Sequence, residues 1–379
     1  MKNKKLLFIV NVDWFFASHR LPIAIAALKE GYEVHVACGI TDKKEYLESL
    51  GLIIHPINLS RGSTGIAQEF KSFRDIFKVL ISVKPNIIHF ITIKPVLYGG
   101  IASRIIGITN RVFSISGMGY VFTSKKKKTS ILRFFILRLY RLALGGTTSR
   151  VIVQNTDDRD ILAQYNVIEE SQEILIRGSG VSLKTHAYKK EPDGVPIVVM
   201  ASRLLKDKGV IEFIEAAKML QKKGILATFK LYGDIDIHNP ASLTQNEVDE
   251  IKKEDIVEVH GYTDDITKVF STSNIVVLPS YREGLPKVLI EAAACGRAVI
   301  TTDVPGCRDA IEADETGLLV KVKESEPLAE AIEKLLEDKT LREQMGKAGR
   351  ELAEKEFDIE KVIDTHLDIY RSFYEGTDK

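Results

Sequence analysis

Short apolar runs bounded by polar or glycine-bearing turns alternate along this chain with stretches whose apolar residues recur at helical spacing. Residues 5–12 read as a first strand, followed by a helix over 21–31 that a glycine ends, a strand over 33–38, a helix over 43–50 and a strand over 53–57. A long amphipathic helix spans 65–83. Strands at 86–90 and 111–115 flank a helix over 95–107, and strands at 151–154 and 173–176 close this half. The second half restarts with a strand at 196–201, a helix at 208–222, strands at 226–231 and 256–259, a helix at 264–271, and strands at 275–278 and 298–301. Helices fill most of the chain from Pro327 onward. This alternation predicts parallel sheet with crossover helices, an α/β protein. The polar, proline-bearing segment 184–196 reads as a linker between an N-terminal domain over 1–185 and a C-terminal domain over 196–355, each doubly wound and Rossmann-like.

One stretch breaks the ordinary pattern. Residues 278–296 read Leu-Pro-Ser-Tyr-Arg-Glu-Gly-Leu-Pro-Lys-Val-Leu-Ile-Glu-Ala-Ala-Ala-Cys-Gly and hold two carboxylates, Glu283 and Glu291. Pro286 suits the first helical position, where its missing N–H costs nothing, and Gly296 suits the helix end. Between them Val288, Leu289, Ile290, Ala292, Ala293 and Ala294 make a helix buried nearly all round. A carboxylate inside it, at Glu291, needs a partner, because an unpaired buried charge is costly. Glu283 falls in the loop before the helix, beside backbone N–H groups that favour an anion. The pattern suits a ligand carrying both phosphate and hydroxyls; its plainer reading is a salt-bridged Glu on an amphipathic helix.

Composition adds a polarity. The 379 residues carry a net charge of +1, but residues 1–190 hold 28 Lys and Arg against 14 Asp and Glu, and the remainder 25 against 38. No acidic residue occurs between Asp75 and Asp157, where 13 basic ones do. Within 123–145, Lys125–Lys128, Arg133, Arg138 and Arg141 interleave with Ile131, Leu132, Phe134, Phe135, Ile136, Leu137, Leu139, Tyr140, Leu142 and Leu144. That reads as a basic amphipathic helix for an anionic membrane surface, or as a crossover helix with a solvated lysine loop. No recognised nucleic-acid module accompanies it, so nucleic acid is not an expected partner. Cys38, Cys295 and Cys307 have no metal-ligand spacing and fit a reducing cytoplasm. No stretch reaches the roughly 18 apolar residues of a membrane span.

The 278–296 segment resembles the signature of retaining glycosyltransferase family 4, whose members have the two-domain GT-B fold, two Rossmann-like domains facing across a cleft. The resemblance covers nearly the whole chain. It implies that Glu283 lies against the donor sugar and Glu291 holds the ribose of a nucleotide sugar, with Gly284, Leu285 and Lys287 beside them. Arg203 and Lys208, in Ala-Ser-Arg-Leu-Leu-Lys-Asp-Lys-Gly over 201–209, match the family's diphosphate clamp, with Lys206 a nearby decoy. The loops at Gly233 and at Gly261 and Tyr262 resemble those around the nucleotide base, and 301–309 the loop near the donor sugar. Asp234 and Asp236 form an Asp-x-Asp pair, yet the resemblance implies metal-independent chemistry with no cofactor. Asp264 and Asp265 read as helix caps. It further implies that the last helix, within 359–379, packs back on the N-terminal domain.

On the acceptor side, Asp13 and His19 sit in an aromatic-rich segment after the first strand, readable as a sugar and phosphate contact or as a buried helix entry. Lys94 follows the strand at 86–90. Ser116 and Gly117, with Gly119, occupy the loop where many members carry a His. The wording of these loops is similar to bacterial enzymes that move an N-acetylhexosamine from a UDP-sugar donor to a polyprenyl-diphosphate-linked saccharide, in O-antigen, capsule or glycan synthesis. The protein is accordingly expected in the cytoplasm, peripheral on the inner face of the membrane. A UDP-N-acetylglucosamine 2-epimerase of the same fold and a non-enzymatic nucleotide-sugar-binding scaffold are the alternatives.

Overall fold

The computed structural model describes residues 4–59, 65–117, 127–146, 148–237 and 239–374. The chain divides into two compact units, Met1–Ser179 with Glu360–Lys379, and Gly180–Ile359. The first contains seven parallel strands, β1 (Lys4–Val12), β2 (Tyr32–Gly39), β3 (Ile53–Pro56), β4 (Ile87–Ile91), β5 (Arg111–Ile115), β6 (Ser149–Val153) and β7 (Glu173–Leu175), in the order β3-β2-β1-β4-β5-β6-β7. The second contains six, β8 (Ile197–Ala201), β9 (Thr228–Tyr232), β10 (Val257–Val259), β11 (Ile275–Leu278), β12 (Ala298–Thr302) and β13 (Gly317–Val320), in the order β10-β9-β8-β11-β12-β13. Both units are doubly wound. Central strands are apolar on both faces because helices cover both: Leu6–Val10 and Ile275–Leu278 are entirely buried. In each sheet the order reverses beside the first strand, between β1 and β4 and between β8 and β11. The crevice outside the carboxyl ends of such a strand pair is where ligands of this architecture bind.

Several local expectations need correction. The segment read as a linker, 184–196, belongs to the second unit, where the Glu191 carboxylate is buried against Arg342 at 2.9 and 3.1 Å. Its other charged residues, Lys184, Lys189, Lys190 and Asp193, are exposed. The helix expected over 95–107 begins as a π-helical turn, Pro95–Gly99, before α-helix Gly100–Ile106. Pro286 is the N-cap of the helix Lys287–Ala294, one position earlier than expected. Strand β13 and the helices Asp13–His19, Thr156–Gln164 and Gln245–Glu254 are additional. Two of those helices carry legible start signals: Asn155 accepts from the Asp158 N–H, and Thr244 with Glu247 forms a capping box.

The helix Ile359–Ser372 contributes a buried polar cluster to the first unit. His89 of β4 lies between the Tyr370 hydroxyl and Ser114 Oγ, at 2.7 Å from each. His366, also buried, donates through Nδ1 to the Val362 carbonyl at 2.7 Å. Arg20 is buried beside them, with one guanidinium nitrogen donating to the His19 carbonyl at 3.0 Å. Burial drives the pKa of both histidines down, His366 to about 3, and Arg20 down to about 10. Both imidazoles are therefore neutral.

Candidate active site

In the second unit the loops leaving the carboxyl ends of five strands are tied to one another. After β8, the Ser202 N–H donates to the Tyr232 carbonyl and the Leu204 N–H to the Asp234 carbonyl, both at 3.0 Å. After β9, the Gly233 N–H donates to the Gly261 carbonyl at 2.8 Å, and Asp234 Oδ1 accepts from the Tyr262 N–H at 3.1 Å. After β11, the Tyr281 N–H donates to the Asp207 carbonyl at 2.8 Å and the Glu283 N–H to the Pro305 carbonyl at 3.3 Å, reaching the loop after β12. Gly233 adopts φ +139° and a Cβ there would collide with the Ser202 carbonyl oxygen. Gly306, at φ +80°, likewise leaves no room for a Cβ against the Glu283 and Gly284 carbonyls. These glycines let the loops close on each other.

Four of the expected charged residues hang on this rim. Lys208 Nζ is ion-paired with Glu283 Oε1, joining the loop after β8 to the loop after β11. Arg203 Nη1 donates to Asp236 Oδ2 at 2.7 Å. Lys206 turns away to Glu247 at 2.8 Å. Glu291 sits in its buried helix with Lys287 Nζ at 3.2 Å, one turn earlier, and His186 Nε2 at 3.8 Å, beyond hydrogen-bond reach. Burial lowers the His186 pKa, an effect that Glu291 opposes. Tyr281 donates its hydroxyl to Glu212 Oε1 at 2.6 Å; burial, then the Glu212 contact, raises the Tyr281 pKa. Burial pushes the Cys307 thiol up to about 12, so it is no nucleophile. Tyr262 is exposed, and Asp265 caps its helix on the Lys268 N–H at 2.9 Å. Asp234 and Asp236 are engaged with Tyr262 and Arg203, and no group of three or more His, Cys, Asp or Glu suited to a metal occurs among the described residues.

The acceptor-side candidates fare differently. Asp13 is fully buried and accepts from the N–H groups of Trp14, Thr41 and Lys43 at 2.8, 2.8 and 3.0 Å and from Thr41 Oγ1 at 2.6 Å. These four bonds anchor the β2 loop to the start of its helix. His19 stacks on Phe15 at 4.1 Å. Lys94 pairs with Glu69 at 2.7 Å, and Tyr98 also donates to Glu69, at 2.8 Å. Ser116 Oγ is buried without a hydrogen-bond partner among the described residues, beside Gly117 at φ +110°. Gly119 and residues 123–126 lie outside the described residues. His186 was missed as a site neighbour because no local pattern marks it, and Asp236, noted only as half of an Asp-x-Asp pair, gave no local sign of its pairing with Arg203.

Two family models match, "Glycosyl transferase 4-like" over residues 5–155 and "Glycosyl transferases group 1" over 183–352. The N,N'-diacetylbacillosaminyl-diphospho-undecaprenol alpha-1,3-N-acetylgalactosaminyltransferase of Campylobacter jejuni is 30% identical over 93% of this chain and 94% of its own. This chain is a family 4 glycosyltransferase. The UDP-Gal:alpha-D-GlcNAc-diphosphoundecaprenol alpha-1,3-galactosyltransferase of Escherichia coli is 25% identical to this glycosyltransferase over 80% of both chains. The sucrose-phosphate synthase of Thermosynechococcus elongatus shares the fold, with a TM-score of 0.80 at 21% identity over 98% of this chain and 100% of that one. The GT-B class of the glycosyltransferase is thereby shown, and the epimerase alternative finds no support among the relatives.

Proposed function

We propose that this glycosyltransferase moves an N-acetylhexosamine from its UDP form to a polyprenyl-diphosphate-linked saccharide, with retention and without a metal ion. The observation that carries the reading is the set of three ion pairs, Lys208–Glu283, Arg203–Asp236 and Lys287–Glu291, on the loops and helix that follow β8, β9 and β11. In this reading Glu291 binds the ribose hydroxyls and Lys287 steadies it. The donor diphosphate competes with Asp236 and Glu283 for Arg203 and Lys208, and Glu283 turns to the sugar. Gly233, Gly261 and Tyr262 border the base, and Gly284 and Leu285 approach the sugar. The C–O bond to the β-phosphate breaks with its electron pair going to the phosphate oxygen. The acceptor hydroxyl adds on the same face and its proton passes to that oxygen, while Arg203 and Lys208 stabilise the departing charge. The acceptor names of the C. jejuni and E. coli relatives support the lipid-linked substrate. His19, Lys94, Ser116 and Gly117 are the acceptor-side residues of this reading. No helix of the described residues is long and apolar enough to cross a membrane, and the enzyme meets its acceptor as a peripheral protein through the basic segment 123–145.

The test is calorimetric UDP binding and turnover in EDTA with UDP-N-acetylhexosamines and a polyprenyl-diphosphate saccharide. Glu291→Ala weakens UDP binding by about 1.5–3 kcal/mol, the worth of hydrogen bonds to a charged group. Glu283→Ala leaves UDP affinity within about threefold and lowers kcat by about 100-fold or more. Unchanged UDP affinity in Glu291→Ala would sink the ribose assignment, and turnover abolished by EDTA would sink the metal-free mechanism.

A further inference from the structure

The helix Lys127–Leu144 packs on helix Gly100–Ile106 and turns a mixed face outward. Phe134, Phe135, Leu139 and Leu142 are 53, 60, 41 and 50% exposed, and neighbouring Ile105 is 65% exposed. Positions 135, 139 and 142 fall on one helical stripe, with 134 and 138 beside it. Against this stripe lies an open pocket of about 360 Å³ lined by Arg104, Arg138, Arg141 and Leu142.

The three guanidinium groups have no carboxylate partner among the described residues. Arg104 Nη1 donates to the Leu142 and Gly145 carbonyls at 3.1 and 2.9 Å. Arg141 donates through Nε to the Asn166 carbonyl at 3.1 Å and through Nη2 to the Tyr165 carbonyl at 2.5 Å. Arg138 lies over the Phe134 ring at 4.8 Å and makes no hydrogen bond to a described residue. Arg104 and Arg141 are thus held in place by backbone carbonyls with N–H donors left over, and Arg138 keeps its whole fork. A guanidinium fork matches two oxygens of a phosphate. The carbonyls at this helix end would repel an anion, but Arg104 covers two of them.

A pocket that binds an anion, set in a stripe of exposed aromatic and aliphatic side chains, needs an occupant with both properties. A free phosphate leaves the apolar stripe in water, and a nucleic-acid backbone gives four apolar side chains nothing to enter. An anionic phospholipid surface supplies phosphates at the depth of the arginines and acyl chains for Phe134, Phe135, Leu139 and Leu142. We propose that the Arg104–Arg138–Arg141 pocket binds the headgroup phosphate of an anionic phospholipid and sets the docking register of the enzyme on the membrane. This rests on the peripheral-membrane reading of 123–145 and goes beyond it, since diffuse attraction by the Lys125–Lys128 run requires no pocket.

The discriminating experiment is co-sedimentation of the full-length protein with phosphatidylcholine vesicles containing phosphatidylglycerol, against pure phosphatidylcholine vesicles. A basic residue near an anionic surface adds about fivefold to binding. The expected result is about fivefold weaker binding for Arg138→Gln and nearly the same loss for Arg138→Lys, which keeps the charge but not the fork. Arg138→Lys binding like wild type overturns the pocket while leaving the peripheral reading intact, provided Lys125–Lys128→Ser still weakens binding. Equal binding of the wild type to both vesicle types overturns both readings. Preferential binding of single-stranded nucleic acid over phosphatidylglycerol vesicles overturns the choice of occupant.

Discussion

The buried pair Glu191–Arg342 gives the sharpest stability prediction. Their side chains are 5 and 4% exposed, and the guanidinium meets the carboxylate through two bonds, at 2.9 and 3.1 Å. Arg342 also donates to the carbonyls of Leu335 and Leu336. Glu191→Gln leaves the guanidinium buried without an anion, and removing one member of such a pair costs about 3–5 kcal/mol. With a denaturant slope of about 2 kcal/mol per molar urea, the unfolding midpoint of the second unit falls by about 1.5–2.5 M. The single tryptophan, Trp14, lies in the first unit, so its fluorescence reports that unit while far-UV circular dichroism reports both. The expected result is an early dichroism transition in Glu191→Gln with the Trp14 transition in place. An unshifted dichroism curve, or a shift confined to Trp14 fluorescence, refutes the argument and the assignment of 184–196 to the second unit.

Two further outcomes follow from buried polar groups. Tyr281→Phe deprives the buried Glu212 of its hydroxyl donor, and we expect a loss of about 1.5–3 kcal/mol in the second unit with a lower kcat and an unchanged KM for donor; a change in KM alone counts against a role in bracing the Lys208 and Glu283 loops. Because the folded pKa values of His89 and His366 lie below the ordinary 6.5, the unfolded chain binds more protons and stability falls as pH drops from about 6.5 toward the His366 value of about 3. The slope is up to about 1.4 kcal/mol per pH unit for each histidine, so the Trp14 urea midpoint at pH 5 should lie below that at pH 7, and His366→Gln should flatten the difference.

What was legible in the sequence was local. The run from Ile275 to Gly296 shows its strand, loop and buried helix because each is specified by adjacent residues, and Glu291 announces its need of a partner through its apolar surroundings. Its ion-pair partner, Lys287, lies one turn earlier and is equally local, whereas the neighbour His186 is 105 positions away and nothing near it distinguishes it from a solvated histidine. Asp13 stayed open between two readings for a similar reason, since an Asp after a strand looks alike whether it faces a ligand or the N–H groups of Thr41 and Lys43. Strand β13 escaped because four residues, Gly317–Val320, are too few for a period to show.

The helix Ile359–Ser372 also has a consequence for biogenesis. Tyr370 bonds to His89 across 281 positions and packs its ring against Phe8 and Tyr32 at 6.4 and 6.3 Å. At about 5–20 residues per second, a ribosome reaches Tyr370 about 15–60 s after His89. Gly180–Ile359 is a continuous stretch and can fold as it emerges. The first-made unit meanwhile waits with those aromatic faces uncovered, a window in which a nascent-chain chaperone has something to hold.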